Sequence, residues 1–233
     1  MPEQNQEWQK NFATLSDSGP IYTETDFSNF IVEPWNAISS LAFLIPAIYW
    51  AYKLRNDYRQ NWFLLYSAAL LFIGGTGSTL FHAFRCSKFL IVMDFLPMAI
   101  LTLSICFYFW FRLLNNWIIV LLIVIPSFTL RYFLFNRLGN HNSINASYFL
   151  SGTLFFLPIL LLLIRNKWKG SGLAIACLCS FVVSLFFRQI DAWHPPLFSI
   201  GTHFLWHLFG ALGSHLVALF IFQMEDNLTR EKL

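Results

Sequence analysis

Histidines within an apolar stretch near the C-terminus are the residues of this sequence best suited to chemistry. His203 and His207 lie four residues apart in the segment "THFLWHLFGALGSH", so on a helix they share one face, where two imidazoles can bind the same cation. His82 follows Ser78 at the same spacing. Three histidines with a fourth position open are typical of a catalytic zinc site, in which the metal lowers the pKa of bound water and polarises a carbonyl.

Two other polar side chains have the chemistry to complete such a site. Asp94 can orient or deprotonate the water, or hold a ligand imidazole from behind, and Ser78 can donate a hydrogen bond to a developing oxyanion. The alternative is that all these groups are hydrogen-bonded packing residues between helices. We interpret His215, eight residues beyond His207, as such a packing or interhelical hydrogen-bonding residue.

Composition places this chemistry in a membrane. The chain has 233 residues, of which 57% are hydrophobic and 12% charged, whereas an ordinary soluble domain has about 25% charged residues. Apolar runs near the roughly 20 residues that cross a bilayer predict seven spans: Asn36 to Leu54, Trp62 to Phe84, Phe89 to Phe111, Trp117 to Phe135, Ala146 to Ile164, Gly172 to Phe187 and Ile200 to Phe222.

These spans predict an all-α, polytopic membrane protein folded as one seven-transmembrane helix bundle. Residues 1–32 form a polar N-terminal segment without the features of a signal peptide, residues 33–223 form the membrane domain, and residues 224–233 form a short tail. The polar residues of the spans collect at the end of the bundle that adjoins the N-terminal segment, namely Glu33, Asn36, Ser78, His82, Asp94, Asp191, His203 and His207. This convergence indicates a site.

Lysine and arginine positions predict the orientation. The side of the N-terminus holds Lys10, Arg85, Lys88, Arg131, Arg137 and Arg188, and the other side holds Lys53, Arg55, Arg59, Arg112, Arg165, Lys167, Lys169, Arg230 and Lys232. Because cytoplasmic loops carry the excess of positive charge, we expect the N-terminus outside, in periplasm or lumen, and the C-terminus in the cytoplasm. The net charge of +3 requires no nucleic-acid partner.

The remaining histidines and the cysteines are interpreted as structural. His141 and His194 are expected in loops. Cys86, Cys106, Cys177 and Cys179 show no spacing typical of a disulfide framework or a zinc knuckle, so we expect small packing residues. Five of the six lysines fall outside the predicted spans, and the sixth, Lys53, is the next-to-last residue of the first span. This disfavours a retinal-binding receptor, because no amine is placed in the interior of a span for a Schiff base.

Three stretches of the chain resemble the motif regions of the alkaline ceramidases, which belong with the adiponectin receptors and GPI-lipid remodelling proteins to a group of seven-span hydrolases. They are "EPWNAISSLAF", "GSTLFHAF" followed by "DFLPM", and "GTHFLWHLFGALGSH", and the likeness extends from about Ile21 to Phe222. The resemblance implies that His82, His203 and His207 bind zinc, with catalytic roles for Ser78 and Asp94.

The resemblance also implies a calcium site between the N-terminal segment and the first span. Its ligands would be the Tyr22 carbonyl, Glu24, Asp26 and Glu33, and hard oxygen ligands from a loop suit calcium. The alternative is a solvated acidic loop. A further acidic ligand expected just before this stretch is missing, since Pro20 and Ile21 occupy its place, and Asp17 would need a loop rearrangement to substitute.

One spacing also departs from the family pattern. The segment from His82 to Asp94 is one residue longer than usual, so that either Asp94 is rotated or the extra residue lies in the loop around Arg85 and Cys86.

The expected function is a zinc-dependent amide hydrolase that cleaves a ceramide-like N-acyl sphingolipid into a sphingoid base and a fatty acid. Its partner is the membrane lipid substrate, and nothing in the sequence calls for an obligatory protein partner. The alternatives are a hydrolase of another acyl lipid, a non-enzymatic lipid receptor, and an ion or proton transporter. A transporter should have polar residues along the whole span, whereas the far halves of these spans are nearly all apolar.

Overall fold

The computed structural model describes residues 17, 19–137, 140–191 and 196–230. Within them the regular secondary structure is helical and no strand is present. In chain order the helices are α1 Pro34–Ser40, α2 Leu44–Lys53, α3 Trp62–Phe84, α4 Lys88–Leu114, α5 Trp117–Arg137, α6 Asn140–Arg165, α7 Ser171–Ile190 and α8 His203–Arg230. A 3-10 turn, Leu41–Phe43, joins α1 to α2.

Four of these helices are long and apolar enough to cross a membrane: α3, α4, α7 and the part His203–Glu225 of α8. Helices α5 and α6 contain shorter apolar stretches, Trp117–Leu130 and Phe149–Arg165. The chain is therefore all-helical in its described part, with helices that fit an integral membrane protein. His141 lies within α6 and not in a loop, and His194 lies outside the described residues.

The first predicted span is interrupted. Pro46 has no N–H to donate to the carbonyl of Ala42, so the regular hydrogen-bond ladder cannot run through this point. The chain passes through the 3-10 turn Leu41–Phe43 instead, as short 3-10 stretches commonly do between helical segments. The break separates α1, which reaches the site, from α2.

The chain divides into two compact units, Met1–Met98 with Ile175–Leu233, and Ala99–Ala174. In the first unit α1 packs against α3 and α8, and α2 packs against α3. Glycines permit the close approach: a Cβ on Gly75 of α3 would lie 2.9 Å from Cβ of Phe43, and one on Gly210 of α8 would lie 3.1 Å from the ring of Phe43.

Helices α7 and α8 are joined by small polar side chains. The hydroxyls of Ser184 and Ser180 donate to the carbonyls of Trp206 and Phe209, both at 2.8 Å. The buried thiol of Cys177 lies 3.7 Å from the carbonyl of Gly213, consistent with the expected packing role. Such contacts hold helices together where lipid provides no hydrophobic drive.

The second unit has an aromatic core. The indole of Trp110 donates to the carbonyl of Leu154 at 2.9 Å, and the rings of Phe109 and Phe155 meet edge to face with 6.1 Å between centroids. The buried indole N–H is thus satisfied, which an apolar core requires.

Candidate metal centre

The three predicted histidines converge in the first unit. His82, His203 and His207 are each 1–2% exposed, and one ligand atom from each lies within 4.8 Å of the others. In the described part of the chain, no other group of three or more histidine, cysteine or acidic side chains is gathered closely enough to share a metal ion. The prediction of a three-histidine cluster that can hold a metal is confirmed, while the identity of the metal remains a prediction.

His82 is placed by the end of α3. Its own carbonyl and that of Ala83 have no helical partner, and they accept hydrogen bonds from the backbone N–H groups of Glu33 at 3.1 Å and Val32 at 2.9 Å. The unpaired carbonyls of the helix end are thereby satisfied, and Glu33 is brought beside the ring of His82. The Glu33 carboxylate then bonds Nδ1 of His82.

His207 is oriented by the serines of α1. Its Nδ1 lies 2.8 Å from Oγ of Ser39 and 3.3 Å from Oγ of Ser40. In both His82 and His207 the occupied Nδ1 leaves Nε2 free for a ligand, and a partner on the far nitrogen is the usual support of a metal-binding imidazole. The roles of Ser39 and Ser40 were not predicted, although both residues follow Asn36 at helical spacing in "EPWNAISS".

His203 is positioned from the backbone. Asp191 accepts hydrogen bonds from the N–H groups of Thr202 at 2.6 Å and His203 at 2.9 Å, so it caps the start of α8, where an anion is favourable. Gly201 adopts a φ of +72°, and a Cβ there would lie 2.3 Å from Oδ1 of Asp191. Nδ1 of His203 is buried and has no hydrogen-bond partner among the described residues.

These observations fit a metal ligand set. Two imidazoles are held by their Nδ1 atoms, and the third has a buried nitrogen that is otherwise unsatisfied, which is costly inside a protein unless something binds there. The donor set of three neutral imidazoles is one that zinc uses with a fourth position open.

Ser78 and Asp94 lie beside the cluster. Oγ of Ser78 is 3.0 Å from Oγ of Ser40, and the Asp94 carboxylate lies close enough to the Ser78 side chain and to His82 to interact with both. Gly77 makes this possible, because a Cβ there would lie 2.3 Å from the carbonyl oxygen of Met93. Gly77 thus allows α4 to approach α3 closely.

The unusual spacing between His82 and Asp94 is located in the connection between helices. Helix α3 ends at Phe84, Arg85 takes the left-handed conformation with φ of 46°, and α4 begins at Lys88. Because Asp94 still faces Ser78 and His82, the structure favours the extra residue in this connection over a rotated Asp94.

Tyr22 covers one side of the cluster. Its ring stacks on His203 with 3.9 Å between centroids and lies 5.3 Å from His82. Burial raises the pKa of its phenol far above the ordinary value. The resemblance assigned only the backbone carbonyl of Tyr22 to a site, and it did not anticipate the position of the ring.

The remaining calcium candidates have protein partners. Both oxygens of Glu24 accept backbone N–H groups at the start of α1, from Trp35 at 2.5 Å and Asn36 at 2.9 Å. Asp26 bonds Ser28 and Asn29 on the exposed surface, and Glu33 bonds His82, Thr25 and Arg85. These contacts do not fit a shared calcium cage, which needs six to eight oxygens directed at one ion.

The ionisation of the loop carboxyls follows from these partners. Burial alone would raise the pKa of the Glu33 carboxyl, but its hydrogen bond with His82 and the charge of Arg85 outweigh that effect and lower it. Burial raises the pKa of Glu24 although two backbone N–H groups oppose the change. The hydrogen bonds from Ser28 lower the pKa of Asp26.

Asn36 has the other unsatisfied polar group of the site. It is 1% exposed, and neither its amide nitrogen nor its amide oxygen has a hydrogen-bond partner among the residues that the structure describes. Asn36 precedes Ser39 and Ser40 by three and four residues, so it lies on the face of α1 that meets His207 and Ser78.

Fold and site together define a helical protein with four helices long and apolar enough to cross a membrane and a buried three-histidine cluster. In comparisons with known proteins, no family model matches the chain and no curated protein sequence is significantly similar to it.

Proposed function

We propose that the chain is a zinc-dependent intramembrane hydrolase that cleaves the amide bond of a ceramide-like N-acyl lipid, releasing a sphingoid base and a fatty acid. The observation that supports this most strongly is the joint placement of His82, His203 and His207, with ligand atoms within 4.8 Å, beside Ser78 and Asp94. A zinc ion there would activate water near neutral pH and polarise the substrate carbonyl.

The protein side chains have separate tasks in this proposal. Asp94, which lies near Ser78 and His82, takes the proton of the attacking water and passes it to the departing amine, as a general base that later acts as an acid does. Ser78 donates to the oxygen on which negative charge develops. Tyr22, stacked on His203, limits the access of bulk water.

Asn36 favours an amide substrate. An amide bond presents one N–H donor and one carbonyl acceptor, and the Asn36 side chain offers the complementary acceptor and donor without other partners in the described structure. A site that must hydrogen-bond an N–H discriminates strongly against an analogue that lacks it. An ester would leave the Asn36 oxygen unpaired.

The proposed setting is a seven-span bundle with the site at the outer end. The four helices that are long and apolar enough to cross a membrane would be completed by the α1–α2 segment, α5 and α6. The lipid chains would lie among the helices while the amide meets the metal near the headgroup level. The membrane lipid is the only partner that the proposal requires. The N-terminus would lie in the periplasm or lumen.

The test is a product analysis with the purified protein. It is incubated with matched N-acyl and O-acyl lipids that share one acyl chain, with and without a zinc chelator, and products are identified by mass. We expect release of fatty acid and sphingoid base from the N-acyl lipid, abolished by the chelator and restored by zinc. Faster release from O-acyl lipids would favour the ester hydrolase, and binding without products would favour the lipid receptor.

A further inference from the structure

We propose that Arg85 is a positioning residue that serves as a fixed cation for the site. Its guanidinium binds the carboxylates of Asp17 and Glu33 and fixes the position of Glu33, which is the hydrogen-bond partner of His82. This makes the site independent of calcium. This proposal requires the metal site of the proposed function but not its substrate. Its test therefore measures metal binding, which does not depend on turnover.

The guanidinium lies in a cage of oxygens. Nε and Nη2 bond the two oxygens of Asp17 at 2.7 and 3.2 Å, and Nη1 bonds Oε1 of Glu33 at 2.5 Å and the carbonyl of Pro20 at 2.8 Å. Arg85 is 2% exposed. This forked arrangement uses the planar donors of arginine and is one that lysine cannot reproduce.

Burial makes the three charges depend on one another. A buried charge without a partner costs several kcal/mol, so the carboxylates of Asp17 and Glu33 require a cation beside them. Burial alone would lower the pKa of the Arg85 guanidinium, but the hydrogen bonds and charges of Asp17 and Glu33 outweigh it and raise this pKa above its ordinary value. The cation is therefore permanent and requires no ion from solution.

Arg85 acts on the metal ligand through Glu33. One oxygen of Glu33 is held by Nη1 of Arg85 and by the hydroxyl of Thr25 at 2.5 Å. The other oxygen bonds Nδ1 of His82. Because the first oxygen is fixed, the second is fixed too, and with it the plane of the His82 ring.

The backbone around Arg85 is shaped for this contact. The left-handed φ of 46° at Arg85 turns the chain after α3, and the guanidinium lies 4.7 Å from the ring centroid of Phe81. Gly19 lets the N-terminal segment approach, because a Cβ there would lie 2.7 Å from the Phe81 ring and 3.0 Å from Nη2 of Arg85. The N–H of Gly19 also bonds Asp17 at 2.8 Å.

A guanidinium in this position replaces a bound calcium ion. Oxygens that could coordinate calcium already accept hydrogen bonds from Arg85, namely those of Asp17, Glu33 and Pro20. Both oxygens of Glu24 accept backbone N–H groups at the start of α1. Calcium would have to displace a paired arginine to reach them. The structure thus disagrees with the calcium site that the family resemblance implies.

The first experiment uses the unaltered protein. Zinc-loaded protein is titrated with calcium by calorimetry, and zinc retention is measured with and without a calcium-selective chelator. We expect no stoichiometric calcium binding and unchanged zinc content. Stoichiometric calcium binding would overturn the proposal without any variant.

The second experiment removes the guanidinium. Arg85→Ala should bind zinc about 10- to 100-fold more weakly, as expected when the support of a ligand histidine is lost, and added guanidinium or calcium ion should restore the affinity by filling the vacated cage. Arg85→Lys should recover little, because an ammonium cannot make the fork. Arg55→Ala is the control, since Arg55 is exposed in the loop after α2 and contacts Tyr52 of that helix.

The outcomes separate this inference from the proposed function. Unchanged zinc affinity in Arg85→Ala, or lost affinity that neither ion restores in folded protein, would contradict the role of Arg85. If Arg85→Ala does not fold, Asp17→Asn should show a smaller loss of zinc affinity by the same route, and no loss would contradict the proposal. Absence of lipid turnover in the unaltered protein would count against the hydrolase alone.

Discussion

Each histidine of the cluster is positioned by a different set of contacts. Glu33 bonds His82 and two serines bond His207, whereas His203 is fixed through the backbone cap from Asp191 and the stacked ring of Tyr22. A carboxylate holds Nδ1 of His82, hydroxyls hold Nδ1 of His207, and Nδ1 of His203 has no partner in the described structure. Each imidazole therefore keeps a nitrogen that can bind a common cation. In the proposed function the protein orients the imidazoles, and a bound ion would supply the charge.

Asp94→Asn tests the division of labour at the residue scale. The amide has nearly the size and shape of the carboxylate but cannot accept a proton, so we expect full zinc content with turnover lowered about a hundredfold or more. Zinc is measured by elemental analysis and turnover by product release from the N-acyl lipid. Normal turnover with full zinc would show that Asp94 only supports the structure.

The identities of the ligands were predictable from spacing, but their supports were not. His203 with His207 and Ser78 with His82 show the helical i, i+4 pattern in the sequence itself. Glu24 and Asp191 cap helices that begin ten or more residues later, so no local pattern indicates them. Arg85 was counted with the flanking charges of the membrane, and only its burial beside Asp17 and Glu33 shows its role.

At the scale of elements, the site depends on how closely α4 approaches α3. Gly77 faces the backbone at Met93 and Asp94, where a Cβ would lie 2.3 and 2.9 Å from backbone atoms. Backbone cannot move aside as a side chain can. A methyl group at this position must therefore push α4 and Asp94 away from Ser78.

Gly77→Ala is the corresponding prediction. We expect a loss of about 1–3 kcal/mol in the free energy of unfolding, as overpacking usually costs, together with strongly reduced turnover. Thermal unfolding in detergent and lipid hydrolysis are the measurements. Gly152→Ala in α6 is the matched control, because a Cβ there meets nothing within 4 Å and should leave both unchanged. Equal behaviour of the two variants would contradict the close-approach argument.

Helix positions were also largely predictable, within limits set by physical chemistry. The apolar runs from Trp62 and from Phe89 give helices α3 and α4 with nearly the predicted bounds. The first span is broken by the 3-10 turn Leu41–Phe43, and α8 continues beyond the predicted tail boundary to Arg230. Hydropathy indicates the length of an apolar run. It does not indicate local breaks in the backbone hydrogen bonding, nor how far a helix continues beyond the apolar run.

At the scale of the whole molecule, the central question is which face of the membrane holds the site. The end of α3, the start of α8 and the N-terminal segment from Gly19 to Glu33 meet in one unit through direct hydrogen bonds. They must therefore share one membrane face. The lysine and arginine distribution of the sequence predicts that this face is outside.

Single introduced cysteines test the orientation. In a background without the four native cysteines, Asn29→Cys lies on the exposed loop beside the site and Asn56→Cys on the exposed loop after α2. We expect an impermeant thiol reagent to label the first in intact cells and the second only after permeabilisation. The reverse pattern would place the site in the cytoplasm, although the three-histidine cluster itself would be unaffected.

The central claim is that His82, His203 and His207 hold a zinc ion on which activity depends. Its most direct measurement is the zinc content of purified His203→Ala and His207→Ala beside His215→Ala, a histidine of the same helix that packs against Tyr49 and Trp50. We predict that the first two lose bound zinc and lipid hydrolysis together, because each removes one of three ligands, while His215→Ala keeps both. Full zinc occupancy in His203→Ala and His207→Ala would contradict the account.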